Sequence, residues 1–162
     1  MYMPFETMPD TARVWIYQAN RKFTEEEKSL IGSRLTAFCN QWNTHGNRMP
    51  TSFDIKYDQF IILSVDESQL GASGCSIDSS VRTLRELDEV LHVNLLDQGK
   101  ISFINQDEIT ISSLSQIKDY IQEGQLTSNT QVFNPTVQRK EDLKDKWLIP
   151  ARESWLGRYF SN

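Results

Sequence analysis

Apolar residues recur along this chain with two periods. They are continuous or alternating where strands are expected, and three- or four-spaced where helices are expected. Val14, Trp15, Ile16 and Tyr17 lie in a first strand, Ala12 to Gln18. Thr24 and Glu27 have the spacing of a capping box, and Ile31, Leu35, Phe38, Cys39 and Trp42 then form one stripe, so a helix is predicted from Thr24 to about Thr44. Phe53, Ile55 and Tyr57 alternate with polar residues, and Phe60, Ile61, Ile62, Leu63 and Val65 form a short apolar run. These two segments predict a hairpin whose second strand is covered on both faces.

That second strand ends at Asp66 and Glu67 and leads into a stretch rich in glycine and serine, with a helical stripe of Val81, Leu84, Leu87 and Leu91 beginning at about Val81. Ile101, Phe103, Ile109 and Ile111 predict a second hairpin. Ser113 and Gln116 open another helix, stopped by Gly124. A short strand near Gln131 to Phe133 and a charged surface helix over Gln138 to Trp147 follow. Pro4 and Pro9 make residues 1–10 a flexible arm, and the aromatic tail 148–162 is expected to dock on the domain.

This order predicts an α+β fold, an open two-layer sandwich. Its mixed or antiparallel sheet would join the Val14 strand, the first hairpin and the later one, with the helices mainly on one face. A length of 162 residues suits a single domain over 1–162. The net charge of -5 is concentrated in residues 66–123, with four basic against eleven acidic groups, which disfavours nucleic acid as a partner. No run of about 18 apolar residues occurs, so no membrane insertion is expected and a cytoplasmic location is. Only Cys39 and Cys75 are present, which is no disulfide framework.

Candidate chemistry centres on the stretch from Asp66 to Ser79. Asp66, Glu67, Gly71, Ser73, Gly74, Cys75, Ser76, Asp78 and Ser79 are the candidate ligand-binding residues, because hydroxyls and free amides at a helix start can receive a polar ligand or a partner's backbone. Asp78 is expected to cap the helix. A metal on Asp66, Glu67 and Asp78 is weighed against solvated or capping carboxylates, and the capping reading is preferred; no metal or other cofactor is expected. Cys75 reads by default as a small buried residue. As an alternative it is a catalytic nucleophile, since a helix N-terminus favours thiolate, with His45 as its candidate base. His45 on its own reads as the last residue of the first long helix, and Cys39 as a core residue.

The strings VWIYQ, FIILSVDES, GASGCSID and VFN, with a Trp- and Phe-containing ending, resemble those of a family of short bacterial proteins of unestablished function. The likeness runs from Arg13 to Phe160. Members often carry the automatic label ABC transporter ATPase, which would imply nucleotide binding. That activity needs a GxxxxGK[ST] phosphate loop, and no such string occurs here. The function expected is therefore a ligand- or partner-binding domain centred on Asp66 to Ser79, with a cysteine-dependent enzyme as the alternative. The partner would be a protein or small molecule, or a second copy through the aromatic C-terminus.

Overall fold

A computed structural model describes residues 1–160 and has an α+β fold with antiparallel sheets. The length suggests one domain; the chain divides into two compact units, one of residues 1–96 with 138–141, the other of residues 97–137 and from 142 on.

In the first unit, β1 (Arg13–Gln18), β4 (Thr51–Lys56) and β5 (Phe60–Val65) form a sheet in the order β1-β5-β4. Between β1 and β4 lie α1 (Glu25–Gln41) and a short hairpin of β2 (Asn43–Thr44) and β3 (Asn47–Arg48). After β5 comes α2 (Gly74–Leu91). β5 is the central strand, antiparallel to both neighbours, and all six of its residues are buried. This is the environment that the run of Phe60, Ile61, Ile62, Leu63 and Val65 requires. Ile61, Leu63 and Val65 on one face pack with Ile31 and Leu35 of α1 and Leu84, Leu87 and Leu91 of α2, so both long helices cover the same side. Thr24 and Glu27 form the expected capping box at the start of α1.

Four expectations change here. α2 starts at Gly74, not near Val81, with Ser73 rather than Asp78 as its cap. α1 stops at Gln41, and His45 belongs to the β2–β3 turn, where His45 and Gly46 have φ of 50° and 78°. Positive φ at both central residues is the two-residue turn whose twist matches a hairpin. The helix expected over Gln138 to Trp147 is reduced to α4 (Asp142–Asp145), because Arg139 forms a bridge with the outer edge of β1 and residues 140–141 turn away from it. Val14 N–H donates to the Gln138 carbonyl and Lys140 N–H to that of Ala12, both at 2.9 Å. Residues 1–10 are docked rather than flexible. Phe5 and Met8 are buried, and the Lys140 ammonium donates to the Phe5 and Met8 carbonyls at 2.9 and 2.7 Å.

The second unit carries the later hairpin, β6 (Ile101–Asn105) and β7 (Glu108–Ser112), which does not join the first sheet. It belongs to a sheet ordered β7-β6-β8-β9, with β8 (Gln131–Phe133) and β9 (Leu148–Pro150) supplying the pairing that hairpin periodicity cannot reveal. A short helix, α3 (Ile117–Gln122), lies between β7 and β8. The core here is Phe103, Ile117, Leu126, Val132, Ala151 and Leu156. The C-terminal segment thus contributes β9 and the buried Ala151 and Leu156; Ser161 and Asn162, the end of the expected tail, lie outside the described residues.

Candidate functional site

The first turn of α2 is fastened to the segment that leaves α1. Trp42 is buried between Phe38 and Trp15, with ring centroids 4.9 and 5.8 Å away, and its indole N–H donates to the Ser76 carbonyl at 2.9 Å. Ser73 N–H donates to the buried Thr44 hydroxyl at 3.0 Å, while the Ser76 hydroxyl donates to the Asn43 carbonyl. The Ser73 hydroxyl accepts from Ser76 N–H at 3.1 Å, capping the helix. These contacts explain why glycine and serine, poor helix formers, are helical here.

With Ser76 turned inward, Cys75 is left exposed. The default reading of it as a buried thiol is therefore overturned, since the helix that begins at Gly74 puts adjacent residues on different faces. Cys75 lines a shallow groove of about 230 Å³ together with Gln41, Trp42, Asn43, His45, Ser73, Ser76 and Ser79. The β2–β3 turn carries the exposed His45 to this groove, so the sequence candidates His45, Ser73, Cys75, Ser76 and Ser79 come together. A thiol, an imidazole and hydroxyls on one surface offer a nucleophile, a proton acceptor and hydrogen-bond donors.

The remaining candidates do not line this groove. The Asp66 carboxylate accepts from Ser68 N–H at 2.9 Å and that of Glu67 from Ala72 N–H at 2.7 Å, so the two acids fold the loop between β5 and α2. Gly71 lies against Glu67, where an added Cβ would meet the carboxylate at 3.3 Å. Gly74 and Asp78 are exposed on α2, with open space beside Gly74. Among the described residues no three His, Cys, Asp or Glu side chains converge to hold a metal ion. No described helix is long and apolar enough to cross a membrane.

Cys39 is fully buried on α1, and burial pushes its thiol up to about 11, which keeps it protonated and unreactive at neutral pH. In the second unit, Trp155 and Leu114 are exposed at the edge of an apolar cavity of about 330 Å³ that also touches Val132 and Leu156. Sequence reasoning did not find Gln41, Trp42 or Asn43. The indole N–H of a tryptophan at the end of an apolar stripe was their available signal, since a buried indole requires an acceptor. Comparison with family models, with curated proteins and with solved structures finds no match to this chain.

Proposed function

We propose that this chain is a ligand-binding protein that receives a small polar group, carried by a metabolite or a partner protein, in the groove between the β2–β3 turn and the start of α2. The observation that carries the reading is the gathering of exposed Cys75 and His45 with Ser73 and Ser79 around one recess on a fastened helix turn. Pre-positioned polar side chains lower the ordering cost of binding. The volume of about 230 Å³ lies below the roughly 300–1,000 Å³ of sites for drug-sized molecules, which favours a fragment-sized group. The test is a panel of small polar compounds followed by amide resonances. Support is a saturable response shared by residues 41–45 and 73–79 and lost in Cys75→Ser with His45→Ala. Panel-wide silence at those amides would count against the reading.

A second reading, cysteine-dependent catalysis, is favoured by the placement of His45 and Cys75 on the same recess. In it Cys75 is the nucleophile and His45 its base. If His45→Ala leaves the neutral-pH alkylation rate of Cys75 unchanged, binding without chemistry is the reading retained; a slowing of about tenfold or more favours the enzyme.

A further inference from the structure

Residues 138–141 meet the outer edge of β1 through one antiparallel bridge, Arg13 opposite Arg139. The flanking bonds, Val14 N–H to Gln138 carbonyl and Lys140 N–H to Ala12 carbonyl, make this the non-hydrogen-bonded kind of pair. In that geometry the Cα atoms are only about 4.5 Å apart and the side chains project to the same face. Like charges directly opposite one another destabilise a strand pair. Both arginines line a cavity of about 410 Å³ whose other walls are Thr11, Glu67, Ser68 and Gln138. The volume lies within the range of about 300–1,000 Å³ for small-molecule sites.

Glu67 does not balance this pair. Its carboxylate is 3.8 Å from one Arg13 nitrogen and already accepts from Ala72 N–H, so it offsets one guanidinium at most. Arg139 has no ion pair among the described residues, and its side chain is exposed. Arg13 is held in place by stacking 4.6 Å from the Trp15 ring. One fixed and one adjustable guanidinium, with the hydroxyls of Thr11 and Ser68 and the Gln138 amide alongside, suit an oxyanion with several acceptor oxygens.

We infer that the Arg13–Arg139 cavity is a binding site for the phosphate group of a small molecule, distinct from the groove at Cys75. The phosphate bridges the two guanidiniums and relieves their repulsion.

The test is titration of the full chain with inorganic phosphate, and separately with acetate, at constant ionic strength. It is read from the amides of residues 13–15 and 138–140 and from the thermal midpoint. Phosphate is expected to saturate these shifts and raise the midpoint, with acetate at least about tenfold weaker because it presents one charge and two oxygens. Arg139→Gln, at an exposed position, should weaken phosphate by about tenfold or more and, in phosphate-free buffer, raise the midpoint by removing the repulsion. Arg13→Lys keeps the charge but loses the planar fork, and should also weaken phosphate. Absence of saturable binding, equal binding of acetate, unchanged affinity in Arg139→Gln, or a lower phosphate-free midpoint in that variant would each overturn the proposal.

Discussion

Replacing Trp42 by phenylalanine tests whether the indole holds the candidate groove together. The substitution keeps a six-membered ring beside Phe38 and Trp15 but removes three heavy atoms and the bond to the Ser76 carbonyl. Trp42 is 2% exposed, so the removed atoms all come from packed surroundings. At about 0.8 kcal/mol per buried carbon the lost burial is about 2 kcal/mol. The lost hydrogen bond adds about 1 kcal/mol. The expected destabilisation of the first unit is then about 3 kcal/mol. With a urea slope of about 2 kcal/mol/M this moves the midpoint down by about 1.5 M. The transition should be followed by far-ultraviolet circular dichroism, since the variant lacks one of the fluorophores. Amide exchange supplies the local readout: the amides of Ile77 to Ser80 should exchange faster relative to those near Leu87, because the first turns of α2 lose their anchor while its C-terminal half keeps the core contacts of Leu84, Leu87 and Leu91. A loss below about 1 kcal/mol with uniform exchange along α2 would refute the reasoning, since it would mean that helix capping alone positions Cys75.

The capping box of α1 should respond to pH in a definite direction. The Arg21 guanidinium, followed by the Thr24 N–H, holds the Glu27 carboxyl down from its ordinary 4.5 to about 2. A group depressed on folding stabilises above its unfolded pKa, and that contribution fades as pH falls from about 4.5 towards 2. Because Arg21 is half exposed, solvent screening reduces the effect to about 1 kcal/mol, so Glu27→Gln should lower stability by that much at pH 7 and by much less at pH 2; equal losses at both would contradict the assignment. Two glycines should give opposite signs in urea titrations. Gly157→Ala places a methyl 2.6 Å from the Arg152 carbonyl oxygen and should destabilise the second unit by about 2 kcal/mol, whereas Gly32→Ala, within α1 and with nothing within 4 Å, should stabilise the first by about 0.5–1 kcal/mol.

Elements whose pattern arises from their own burial were legible in the sequence. Phe60 to Val65 is apolar at every position except Ser64 because β5 is covered on both faces, and Thr24 with Glu27 marks the start of α1 through contacts three residues apart. What escaped is what distant residues decide. The first turns of α2 contain Gly74, Ser76, Ser79 and Ser80, which have little intrinsic helix preference, and they are helical against Trp42, Asn43 and Thr44. Residues 138–141 are charged and helix-compatible, yet their amides and carbonyls pair with β1 some 125 residues earlier, as the Arg13–Arg139 bridge records. The two-residue strands beside His45 and Gly46 are too short to display alternation, so His45 read as a helix end. Membership of Asp66 and Glu67 in the candidate site was inferred from their proximity in sequence, but both carboxylates are engaged in folding the loop.

The most direct measurement of the central claim, that Cys75 and His45 share one exposed recess, is alkylation of the native chain with iodoacetamide at neutral pH, mapped by mass spectrometry and followed by the imidazole resonances of His45. Modification of Cys75 under native conditions is predicted, while Cys39, fully buried and pushed up to about 11, reacts only on unfolding. The His45 resonances should shift as the Cys75 adduct forms, because both side chains line the same groove. Protection of Cys75 equal to that of Cys39, or His45 resonances unmoved by complete modification, would contradict the site.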